Sequence, residues 1–134
     1  GRARAEGKPV LLSITAAWCR ACHEMDGTTY ADPGVAALIR ERFIPVRVDT
    51  DRRPDINERY NLGGWPTTAF LTSDGGVLTG ATFVPADRMS GVLTRVADAR
   101  EIIARSVDVT LAFQGLASRI ARLICDINTP DGRP

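Results

Sequence analysis

An α/β fold, a central mixed sheet flanked by helices with an additional C-terminal helix, is predicted by three observations on this sequence. β-Branched runs, the first of them uncharged, alternate with helical stretches over the first half of the chain. A Ser73-Asp74-Gly75-Gly76 turn joins two further β-rich runs, and a Cys-x-x-Cys pair stands where the first run gives way to a helical pattern. The 134 residues suffice for one domain with a real core, and 17 Lys and Arg against 16 Asp and Glu leave a formal charge of +1. That balance makes no broad positive field for nucleic acid or an anionic membrane. No apolar run approaches the ~18 residues of a membrane span. Neither nucleic acid nor a membrane is an expected partner, and the protein reads as soluble.

The elements follow in order. PVLLSIT, Pro9 to Thr15, has no charge, as a central strand buried on both faces would have. A helical pattern starts at Cys22, falters at Gly27 and resumes where Asp32 and Pro33 supply an N-cap acid and a first-position proline for VAALIRERF. Phe43 to Asp49 reads as a second strand, with Val46 and Val48 alternating with Arg47, so two strands flank a helix as in a parallel crossover. Pro54 opens a short helix ending near Asn61, and Gly63-Gly64 closes it. TTAFLT and VLTGATFV form the hairpin. From Ala86 the chain is helical, first through Arg105 and then in a second stretch to Ile127. The predicted division is 1–105 as the domain and 106–134 as a helical extension. Strand, helix, strand, helix, hairpin and helix is the order of a thioredoxin fold.

WCRACH, Trp18 to His23, suits three chemistries: haem c attachment, a zinc half-site, or thiol-disulfide exchange. A haem iron would take His23, the one histidine, with Met89 left as second ligand, in a compact α/β order unlike a small haem c protein. Zinc would need Cys125 brought to Cys19, Cys22 and His23. The exchange reading places Cys19 at a helix N-terminus, where free N–H groups and the helix dipole favour a thiolate. Cys22, one turn later, is then the resolving sulfur. Arg20 and His23 are candidate modulators of the Cys19 pKa. No metal and no cofactor beyond the dithiol itself is expected.

GKPVLLSI, the dithiol with its histidine, DPGVAALIRERFIPVRVDTDRRPDIN, GGWPTTAFLTSDGG and TGATFVP resemble the thioredoxin-like domain that opens the spermatogenesis-associated protein family, over about residues 7 to 96. GGWPT and VDTDRRPDIN are the specific parts. In that family a large helical toroid resembling sugar-processing enzymes follows, and the biochemical role is poorly defined. Two departures stand out. The family usually has His and Trp between its cysteines, where Arg20 and Ala21 stand here, and it usually lacks Trp18. Ala17-Trp18-Cys19 is instead similar to ordinary thioredoxins and to the reducing C-terminal domain of periplasmic thiol-disulfide interchange proteins. Thioredoxins carry a buried acid six residues before the first cysteine; Ser13 occupies that position. Pro66 matches the family's cis-proline, and the resemblance implies that Trp65 before it presents backbone groups to an extended substrate, with Trp18 and Trp65 lining the groove.

The expected function is thiol-disulfide exchange with protein substrates, Cys19 attacking and Cys22 resolving; the alternative is a non-catalytic binding module of a larger protein. The ends of the chain, Gly-Arg-Ala-Arg and Asp-Gly-Arg-Pro, suggest an excised piece. A cytoplasmic placement is expected, with a periplasmic or secreted one open if a signal peptide was removed. Val109, Phe113, Leu116, Ile120, Leu123 and Ile127 form a stripe at spacings of four and three. It is expected to dock on the domain, a second copy or a downstream domain, with Cys125 as a buried structural thiol.

Overall fold

The computed structural model describes residues 1–128, with the side chains of 106–113, 117 and 121–128 left undescribed. Nine elements follow in chain order: α1 Arg2–Glu6, β1 Val10–Thr15, α2 Arg20–Gly27, α3 Pro33–Arg42, β2 Ile44–Asp49, α4 Pro54–Tyr60, β3 Thr67–Leu71, β4 Val77–Ala81 and α5 Ala86–Asn128. The strands form one mixed sheet in the order β2-β1-β3-β4. β1 runs parallel to β2 and antiparallel to β3, which pairs antiparallel with β4. This is the predicted thioredoxin fold, flanked by helices and ending in a C-terminal helix.

β1 is central, and its four inner residues are buried. Leu11 faces a core built with Met25, Val35, Ile39, Phe43, Phe70, Met89 and Leu93, whereas Leu12 and Ile14 face Val48, Ala69 and Leu71 on the other side. Burial on both faces explains why the strand carries no charge. β2 lies at the edge of the sheet. Ile44 and Thr50 donate their N–H groups to Pro9 and Thr15, so the even-numbered donors of β2 point at β1 and the odd-numbered ones point away. Pro45, which has no N–H, therefore stands where a donor would have no partner among the described strands. The alternation expected of this strand is broken at the edge: Val48 is buried, and Val46 is exposed.

Asp32 caps α3 as the sequence predicts, accepting the Val35 N–H at 3.0 Å, with Pro33 at the first helical position. The break between α2 and α3 is pinned from inside, because the buried Thr29 hydroxyl donates to the Val84 carbonyl at 2.6 Å. In the β3–β4 hairpin the Thr72 N–H reaches the Gly76 carbonyl at 2.8 Å, and Gly75 adopts the left-handed φ of 91° that the turn requires. On β4, Gly80 is approached closely by Leu62 and by β3. A Cβ there would sit 2.5 Å from Leu62 Cδ1 and 2.7 Å from the Thr68 carbonyl oxygen.

Two elements differ from expectation. α1 was not foreseen; its five residues are too few for a periodic signal, and it ends on Gly7 with φ 65°. The two helical stretches after Ala86 are one helix, α5. The chain divides into two units, Gly1–Asp98 and Ala99–Pro134. In the first, Met89, Leu93 and Ala97 recur every four residues and are buried in the main core. In the second, Ile102, Ile103, Leu116 and Ile120 are exposed. Of the predicted stripe only Leu116 and Ile120 belong to the described side chains; Val109, Phe113, Leu123, Ile127 and Cys125 lie outside them. No helix among the described residues is long and apolar enough to cross a membrane.

Candidate active site

β1 ends at Thr15, and a tight turn leads into α2, closed by the Cys19 N–H donating to the Ala16 carbonyl at 3.1 Å. Cys19 is the N-cap of α2, in extended conformation, and its Sγ accepts the backbone N–H of Cys22 at 3.1 Å. The helix begins two residues earlier than the pattern suggested, because the cap is a sulfur rather than an oxygen. Cys19 and Cys22 are joined as a disulfide across a Cα–Cα distance of 5.3 Å. They are 7% and 1% exposed, and they pack with Ala16 and Ala21 in a small cluster of their own. Both residues are buried, Cys19 slightly less so, and the sulfur at the helix start is the one faced by a backbone donor.

Trp18 and Trp65 are both exposed, at 61% and 37%, and their rings meet edge to face with centroids 5.2 Å apart. Each indole is held by its N–H. Trp18 Nε1 donates to Asp51 Oδ2 at 3.1 Å, and Trp65 Nε1 donates to Asn57 Oδ1 at 3.2 Å. Pro66 is buried and follows a cis peptide bond. Because Ile14 pairs with Thr67, Pro66 lies at the end of β1 from which the cysteine turn departs. The preceding loop is tied by Asn61, whose Oδ1 accepts the N–H groups of Gly63 at 2.7 Å and Gly64 at 3.0 Å. Its Nδ2 donates to Asn57 Oδ1 and to the Gly64 carbonyl, which also takes the Thr67 hydroxyl.

Arg20 is exposed in the first turn of α2. His23 is exposed as well, and its Nε2 lies 2.8 Å from the Ala17 carbonyl oxygen. Asp49 caps the turn after β2 by accepting the N–H groups of Asp51 and Arg52, and Glu24 faces solvent. Ser13 is buried in register between Arg47 and Thr68. Over that row lies Tyr30, whose buried hydroxyl has no partner of ordinary hydrogen-bond geometry. Burial pushes its pKa up, and the Ser13 and Thr68 hydroxyls beside it offset this only in part. Among the described residues no three His, Cys, Asp or Glu side chains converge as metal ligands would.

Asp51, Asn57, Asn61 and Thr67, which hold the two indoles and their loop, are not among the site residues expected from the sequence. For Asn61 a signal existed, since an asparagine before Gly-Gly is a turn former through its own side chain. Asp51 and Asn57 lie in VDTDRRPDIN, a specific part of the family resemblance, but no local pattern indicated that their side chains hold the indoles.

The chain is similar to known proteins. Spermatogenesis-associated protein 20 from Homo sapiens is 33% identical over 92 residues, 63% of this chain and 12% of that protein. Thiol:disulfide interchange protein DsbD from Yersinia pestis is 32% identical over 82 residues, 59% of this chain and 14% of that one. The chain therefore spans only a small part of the length of these relatives. A thioredoxin from Thermus thermophilus superposes with a TM-score of 0.62 at 27% identity, over 70% of this chain and 77% of its own. The profile of the thioredoxin-like DsbH family, described as a protein of unknown function, DUF255, matches residues 1–111, and the chain belongs to that family.

Proposed function

We propose that this domain is a thiol-disulfide oxidoreductase acting on protein disulfides, with Cys19 as nucleophile and Cys22 as resolving thiol. The observation that carries the reading is the Cys22 N–H aimed at Cys19 Sγ at the cap of α2, a donor that stabilises negative charge on that sulfur once the disulfide is reduced. Similarity to a protein named for thiol:disulfide interchange supports it.

In the reducing direction the Cys19 thiolate attacks one sulfur of a substrate disulfide, forming a mixed disulfide and expelling the other substrate sulfur as a thiolate, which takes a proton from solvent. The Cys22 thiolate then attacks Cys19 Sγ, closing the intramolecular disulfide and releasing the second substrate thiolate. Two electrons pass to the substrate, and an external dithiol must restore the pair. Trp18, Trp65 and Pro66 are the surfaces along which the substrate chain would lie, and Arg20 adds positive charge at the helix start.

The test is trapping. With Cys22→Ser, mixed disulfides with protein substrates should accumulate through Cys19, while Cys19→Ser should trap almost nothing. Iodoacetamide should alkylate Cys19 of the reduced protein at lower pH than Cys22. Equal alkylation of the two thiols, no turnover of insulin disulfides and partner binding that survives replacement of both cysteines would instead establish the binding module.

A further inference from the structure

A carbonyl oxygen only accepts hydrogen bonds, so the 2.8 Å contact between His23 Nε2 and the Ala17 oxygen requires the proton to be on Nε2. That oxygen belongs to the peptide that joins Ala17 to Trp18. The same turn is held on its other side by the Cys19 N–H donating to Ala16 at 3.1 Å, and the His23 N–H donates to the Cys19 carbonyl at 3.3 Å. His23 therefore grips the turn with its backbone and with its ring. Trp18 leaves this fixed peptide with its indole against Trp65 and its N–H on Asp51.

We propose that His23 is a positioning residue: its ring fixes the Ala17–Trp18 peptide and thereby the Trp18–Trp65 pair that flanks Cys19. The Nε2 proton is present in the neutral ring and in the imidazolium alike, so this role needs a donor at that reach and no charge. The spacing follows from the helix. A side chain one turn after the cap projects back toward the helix N-terminus, which is where the Ala17 carbonyl stands. The proposal rests on the exchange reading only for its kinetic consequence.

Two variants separate donor from charge. His23→Gln keeps an amide N–H at comparable reach and cannot ionise, whereas His23→Ala removes the donor. The chain has two tryptophans, Trp18 and Trp65, so indole fluorescence and the indole bands of the near-ultraviolet circular dichroism report on this pair. In His23→Ala the indole signal should change and KM for a protein disulfide should rise roughly two- to tenfold, the worth of one hydrogen bond, with kcat little altered. His23→Gln should restore both. His23→Asn, with a shorter reach, serves as a second loss variant should His23→Ala fold poorly. An unchanged indole signal in the loss variants would overturn the proposal. So would a His23→Gln protein with a native indole signal and the activity of His23→Ala, since that would make the charge decisive. If the native domain turns over no protein disulfide, the exchange reading fails, and the indole comparison still decides this one.

Discussion

Replacing Asn61 by Ala removes four hydrogen bonds from one loop. Two are acceptances from the Gly63 and Gly64 N–H groups, and two are donations, to Asn57 Oδ1 and the Gly64 carbonyl. A neutral hydrogen bond contributes about 0.5–1.5 kcal/mol net. The Gly63 bond is exposed and the others only partly buried, so water recovers some of the loss, and the sum expected is about 2 kcal/mol. Asn61→Asp keeps the acceptor for both glycine N–H groups and loses the donors, so it should cost about half as much. Urea denaturation is the assay, read as a lower midpoint at unchanged slope. Because Trp65 follows Gly64 directly and shares Asn57 with Asn61, Asn61→Ala should also disturb the Trp18–Trp65 signal. Stability within about 0.5 kcal/mol of the native protein would show that the loop does not depend on this side chain.

Gly80→Ala should destabilise the domain by roughly 1–3 kcal/mol, because the new Cβ would lie 2.7 Å from a backbone oxygen that cannot step aside; a Tm equal to the native value would show that β4 shifts freely. Tyr30→Phe should be neutral or slightly stabilising at neutral pH, since it deletes a buried hydroxyl that lacks a partner. The alkaline limb is its sharper test. The folded-state pKa of Tyr30 is raised above the unfolded value of 10.0, so the folded protein holds this proton longer, and the associated stability is complete below pH 10 and lost as pH rises past it. Denaturation midpoints across that limb should fall less steeply in Tyr30→Phe than in the native protein, and parallel curves would contradict the assignment.

What depends on neighbours along the chain was readable before folding. The uncharged run of β1, the Asp32-Pro33 start of α3, the glycine turn of the hairpin and the cysteine pair at a strand-to-helix corner all follow from propensity, capping and turn chemistry, each acting over a few residues. The order of elements then left one familiar fold. That β2 is an edge strand emerged only from the folded sheet, because the composition of β2 does not say what lies beside it. Pro45 was a clue that becomes readable once the direction of the ladder is known. The helical stretches after Ala86 are one helix in the structure, since no proline or glycine separates them at residue 105, and pattern alone marks a change of burial as if it were a break. The site divides in the same way. Cys19 and Cys22 were legible as a pair because their spacing is local, whereas the Trp18–Asp51 bond joins residues 33 apart in the chain. Such contacts depend on the directions that side chains take once the sheet order has closed, and no local pattern encodes those directions. His23 shows the same limit: its place after the cysteine pair was legible, whereas the contact of its ring with the Ala17 carbonyl came only with the folded turn.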